Sequence, residues 1–232
     1  MNEIGPILRP AVELINNLLG PSAREIGEIG GDFAHYWRMK NLDRIAPKVR
    51  RCYEKLGLDE KSFLRPAVGL PMLEAASYQD DSYLQDRWAN LLAGTAANAG
   101  DETDFDLGST YVEIMRQLSR TDCEILDFVA ENGIEGINED GSYAPKGFDP
   151  EELKERFDKR VAHISVEKLV TLGVLQRAMK MPITPGPTAS GFAEVIVPTI
   201  IGLNFYVTAS GKMPGWVPGD RVPSDAPTSN PS

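Results

Sequence analysis

Ser119-Arg-Thr-Asp-Cys-Glu-Ile-Leu-Asp-Phe-Val-Ala-Glu-Asn-Gly133 opens a unit that closes on Phe205-Tyr-Val-Thr-Ala-Ser-Gly211. Ser119 and Asp122 stand at capping-box spacing, Ile125, Leu126 and Val129 form a helical stripe, and Gly133 supplies a stop. Residues 134–143 read as a small hairpin around Asn138-Glu-Asp-Gly141. Asp149-Pro150 caps a further helix with proline in its first position. Val161, Ile164, Lys168, Leu169 and Leu172 mark the next helix, ended by Gly173. Val174 to Arg177 reads as a strand, and residues 194–201 and 203–209 are rich in β-formers. Helix, hairpin, helix, helix and closing strands are the outline of a winged helix.

The preceding residues read as wholly helical. Val12, Leu14, Ile15, Leu18 and Leu19 form one stripe, stopped by Gly20-Pro21. Ser22 and Glu25 suggest a capping box for a glycine-rich helix containing Gly27, Gly30 and Gly31. Leu42, Ile45, Val49, Cys52 and Leu56 follow a 3-4-3-4 spacing, a buried seam in which Pro47 predicts a kink or restart. Residues 62–77 are helical with interruptions at Pro66, Gly69 and Pro71. Leu84, Trp88, Leu91, Leu92 and Thr95 share a helix face, with Asp80 and Asp81 at its positive end. Residues 98–107 read as an acidic loop before a helix carrying Tyr111, Ile114, Met115 and Leu118. The expected fold is mainly α. An N-terminal helical domain (1–118) precedes a winged-helix-like α+β domain (119–210) and a disordered Pro/Ser-rich tail (211–232).

Composition narrows the function. The chain has 232 residues, 42% of them hydrophobic, enough to build real cores. A net charge of −10 argues against bulk electrostatic binding to nucleic acid or to an anionic membrane. Two lone thiols, Cys52 and Cys123, suit a reducing cytoplasm. No leader pattern and no apolar run of about 20 residues is present, so a membrane span is not expected.

No catalytic, cofactor or metal constellation stands out. His35 and His163 lie in different halves with no partner at ligand spacing. Asp101, Glu102, Asp104 and Asp106 read as solvated charge. The Asn138–Gly141 turn lacks the later glutamate of a calcium loop, because Gly147 takes that place. One basic cluster is a candidate partner or nucleic-acid face. Residues 38–65 hold nine Lys/Arg against four Asp/Glu, and Arg44, Lys48, Arg51 and Lys55 fall within an arc of about 60° on a helix. The proposed recognition helix, residues 160–172, offers Arg160, His163, Ser165, Glu167, Lys168 and Thr171, a weak basic complement. This favours a protein-interaction use over DNA.

Several blocks taken together resemble the Abi-alpha (abortive infection alpha) family. They are Gly20-Pro-Ser-Ala-Arg-Glu-Ile-Gly27, Leu73-Glu-Ala-Ala-Ser77 with Asp80-Asp81, Asp86-Arg-Trp-Ala-Asn-Leu-Leu-Ala93, Ile114-Met-Arg-Gln-Leu-Ser119 with Asp122, Leu169 to Leu175, and Tyr206-Val-Thr-Ala-Ser-Gly211. The resemblance implies anti-phage defence in which infected bacteria stop growing or die before phage matures. It carries no catalytic residues. The expectation is a non-enzymatic cytoplasmic protein that binds a phage or host protein, with homo-oligomers allowed by its helical seams. The alternatives are a winged-helix DNA-binding regulator and a membrane-active effector using the Ile4–Leu19 stripe and the glycine-rich helix.

Overall fold

A computed structural model of the chain describes residues 9–19, 32–58, 64–97, 102–137, 143–145, 147–180 and 193–212. The expected Ser22–Glu25 capping box, the glycine cluster, the 138–141 turn and residues 213–232 of the expected tail lie outside them. Nine helices and two antiparallel two-stranded sheets occur among the described residues. The chain is mainly helical.

The helices α1 (Arg9–Leu19), α2 (Asp32–Leu56), α3 (Pro66–Ser77), α4 (Ser82–Ala97) and α5 (Glu102–Gln117) come first. Then follow α6 (Arg120–Asn132), β1 (Ile134–Ile137), β2 (Tyr143–Pro145), α7 (Pro150–Arg156), α8 (Lys159–Thr171), β3 (Leu175–Lys180), β4 (Ala193–Pro198) and α9 (Ile200–Ser210). They fall into two compact units. One takes the described residues up to Cys123 and returns at Asn204; the other runs from Glu124 to Leu203.

In the first unit α2 packs against α1, α3 and α4. Leu42, Ile45 and Val49 of its seam are buried, while Cys52 and Leu56 are half-buried as the seam reaches the end of the helix. Pro47 does not divide α2, which runs through it. Leu84, Trp88, Leu91, Leu92 and Thr95 are buried as their spacing requires, as are Tyr111, Ile114, Met115 and Leu118. Asp81 caps α4 by accepting from the Tyr83 and Leu84 amides at 2.8 and 3.0 Å. The expected acidic loop is cut short, because α5 already begins at Glu102. Acidic residues in a first turn are stabilised by the helix dipole, so the same charges suit a helix start.

In the second unit α7 packs on α8 and β4, and α8 packs on β3. Strands β3 and β4 pair in unbroken register from Leu175–Pro198 to Lys180–Ala193. Phe148 and Ile196 exchange two backbone hydrogen bonds of 2.8 Å, which ties the segment before α7 to β4. Asp149 caps α7 and Asp158 caps α8 through their carboxylates. Of the residues that mark α8 in the sequence, Val161, Ile164, Lys168, Leu169 and Leu172, only Leu169 is buried. Ala162, Ser165, Val166 and Leu169 point inward, while Val161 (41%) and Ile164 (57%) are exposed.

Residues 203–209 are not a strand. They lie in α9 despite their β-forming composition. Thr199 sets its start by accepting from the Gly202 amide at 2.9 Å and donating to the Gly173 carbonyl at 2.6 Å. Gly211, at φ +69°, ends it, with Lys212 donating to the Val207 carbonyl at 3.0 Å. Leu203, Phe205, Tyr206, Val207 and Ala209 are all buried, and burial of this kind overrides a propensity difference of about 0.5 kcal/mol per residue. Gly202 is required by close approach, since a Cβ there would lie 1.9 Å from the Val174 carbonyl oxygen. Gly202→Ala is therefore expected to cost about 3 kcal/mol and Thr199→Ala about 1 kcal/mol. Urea denaturation checks both; a neutral Gly202→Ala would refute the close approach.

Candidate functional site

The basic face of α2 separates into two parts. Arg44, Arg51 and Lys55 are exposed. Lys48 is folded onto α4, where its ammonium donates to the Ser82 carbonyl (2.7 Å) and hydroxyl (2.9 Å) and pairs with Asp86 at 2.9 Å. Arg51 leans back along its own helix, its Nε 3.4 Å from the Pro47 carbonyl. Neighbouring Arg50 reaches Glu13 of α1 at 3.4 Å.

A cleft of about 410 Å³ opens where α3, α4 and α5 meet. Ala75, Trp88 and Met115 line it with apolar surface, and Glu74, Tyr78, Gln79 and Arg116 line it with polar groups. Its geometry follows from the end of α3. The Ser77 carbonyl accepts from Asn41 at 2.9 Å, and its hydroxyl donates to the Glu74 carbonyl at 2.6 Å while accepting from Arg38 Nε at 3.0 Å. The Arg38 guanidinium then lies over the Tyr78 ring, 4.7 Å from its centre. Glu74 stands between two guanidinium groups, 3.9 Å from Arg38 and 4.0 Å from Arg116. Arg116 also pairs with Glu113 at 3.1 Å. Sequence reasoning did not single out this cleft, because its lining comes from three helices. The only signal was indirect: the blocks 73–77, 86–93 and 114–119 all contribute to it.

On the second unit, α8 presents Arg160, His163, Ile164, Glu167 and Thr171 outward. Glu167 is engaged by Arg177 of β3, which also bonds Glu194 of β4. The hydrogen bond to Glu194, with the charge of Glu167, holds the Arg177 guanidinium above its usual pKa. The side chain of His35 lies outside the described residues. Among the described residues no three His, Cys, Asp or Glu side chains are grouped to hold a metal ion. No described helix is long and apolar enough to cross a membrane.

Cys52 donates to Asn90 Oδ1 at 3.0 Å, and burial pushes its thiol pKa up against the opposing pull of Lys55 and Arg51. Its thiolate fraction at pH 8 is therefore lower than that of a free thiol. Iodoacetamide labelling followed by peptide mass mapping is expected to run slower at Cys52 than at free cysteine; an equal or faster rate would refute this. Lys48→Ala is expected to lower stability by about 1 kcal/mol, because it removes a charge-assisted bond and an ion pair. Arg44→Ala and Arg51→Ala should each stay within about 0.5 kcal/mol. Chemical denaturation distinguishes these outcomes.

Comparison with curated proteins finds no significant match, and neither does comparison with solved structures. A family model does match. It is that of abortive infection alpha, it spans residues 38–185, and it takes in α3, α4 and α5 around the cleft together with α6 to α8 and β3. With more than half of its length matched, this chain belongs to the abortive infection alpha family.

Proposed function

We propose that this protein is an anti-phage defence protein of abortive-infection type, working in the bacterial cytoplasm by binding a phage or host component rather than by catalysis. Family membership across residues 38–185 is the observation that carries the reading. The second unit supports it. On this reading α6, the Phe148–Ile196 bridge, α7, α8 and the antiparallel β3–β4 pair, in that order, would serve as a winged helix with α8 as its contact helix.

What α8 exposes favours a protein partner. Ile164 lies near the centre of its outward face, with Val161 at the flank. An exposed apolar pair gains nothing from phosphate but gains free energy when covered by a protein surface. The net charge of −10 works in the same direction. A second reading, a DNA-binding regulator, rests on Lys159, Arg160 and His163, which are exposed at the start of α8.

Plating a phage panel on bacteria expressing the chain tests the defence reading. Protection at low phage dose with culture collapse at high dose is the expected result; no protection from soluble, well-expressed protein would overturn it. Val161→Asp with Ile164→Asp is expected to abolish protection while leaving the fold intact by circular dichroism. Full protection by that folded variant would remove α8 as the docking surface. Duplex binding that weakens steeply with salt would support the DNA reading instead.

A further inference from the structure

The cleft between α3, α4 and α5 combines three properties that together select a ligand class. The first is charge balance. Arg38 and Arg116 bring two positive charges, and Glu74 and Glu113 bring two negative ones. A phosphate or an ammonium would leave a net charge in a cleft whose own charges sum to zero. A neutral ligand would not, so it enters at the lowest electrostatic cost.

The second property is shape and lining. About 410 Å³ lies within the range of small-molecule sites. Trp88 and Met115, each 2% exposed, close the floor of the cleft from beneath, while Tyr78 is 61% exposed beneath the Arg38 guanidinium and offers the ring surface. A ring already backed by a guanidinium is a stacking platform for a planar heteroaromatic molecule.

The third property is the set of polar groups. The Glu74 carboxylate is 3.9 and 4.0 Å from its two arginines, beyond hydrogen-bond length, so its oxygens keep acceptor capacity. Gln79 uses its amide oxygen to accept from the Asp81 amide at 3.1 Å, and its NH2 group is the donor it offers. An acceptor pair beside a donor matches a ring edge with adjacent N–H groups next to a carbonyl. Among nucleobases, guanine carries that edge. We infer that this cleft binds a free nucleobase or nucleoside ring, stacked against Tyr78 and held by its N–H edge on Glu74, with guanine the best match.

The test uses the full chain with guanosine, adenosine and uridine, followed by isothermal titration calorimetry and saturation-transfer NMR. Guanosine is expected to bind at least ten-fold tighter than adenosine or uridine. Glu74→Gln and Tyr78→Ala should each weaken guanosine at least ten-fold, Tyr78→Phe should retain binding, and the exposed control Glu155→Gln should leave it unchanged. Thermal melts confirm that each variant is folded. No binding of guanosine at millimolar concentration, adenosine preferred over guanosine, or guanosine binding that survives Glu74→Gln and Tyr78→Ala would each overturn the proposal. The readout is independent of any plating result.

Discussion

The Asn41 side chain is buried on α2 and gives an amide hydrogen to the Ser77 carbonyl at the end of α3. An amide withdrawn from water costs several kcal/mol unless it is bonded, so this contact fixes where α3 stops against α2. Ser77 is buried as well, and its hydroxyl serves both the Glu74 carbonyl and Arg38. Once the turn after Ser77 is set, Tyr78 and Gln79 follow, and Gln79 leads by two bonds into the start of α4: its side chain accepts from Asp81 and its carbonyl accepts from Gln85. The lining of the cleft is therefore a consequence of one buried polar junction. Weakening that junction would disturb Tyr78, Gln79 and Arg38 together.

Polar ties of the same kind explain why charge counted along the chain misdescribes its surface. Lys48 belongs to a regular basic array by spacing, yet Ser82 and Asp86 take it up. Asp43 reaches across to accept the Ala11 amide at 2.8 Å, a carboxylate on α2 serving the first turn of α1. Asn90 joins three helices, accepting from Cys52 of α2 and donating at 3.1 Å to the Ala209 carbonyl of α9. Each is a long-range partnership between residues whose separation in sequence carries no periodic signal.

Local signals were legible wherever the chemistry is local. The Ser119–Asp122 capping box is reciprocal, with the Ser119 amide and hydroxyl donating to Asp122 at 2.8 and 2.7 Å and the Asp122 amide returning a bond of 3.3 Å to the Ser119 hydroxyl. Asp149-Pro150 starts α7 as its residues require. The failures lie where environment outweighs local preference. Composition made 203–209 a strand, but a threonine cap, a glycine stop and burial on several sides make it α9. On α8 the apolar Val161 and Ile164 mark the helix in the sequence but stay exposed, and the smaller Ala162 and Ser165 turn inward with Val166 and Leu169.

The sequence by itself determined the helical class, the starts of α4, α6 and α7, and the family, because capping residues, 3.6-residue periodicity and ordered blocks act over a few positions. It also determined the candidate face Arg44, Lys48, Arg51 and Lys55 as a set of neighbours on one helix. Only the tertiary structure decided which of those cations stays in solvent, which face of α8 is buried, and that Glu74, Tyr78, Gln79, Trp88 and Arg116 share one cleft. The physical reason is the same in each case. Burial and pairing depend on which element lies opposite, and that is settled by the summed packing of several helices rather than by any one segment.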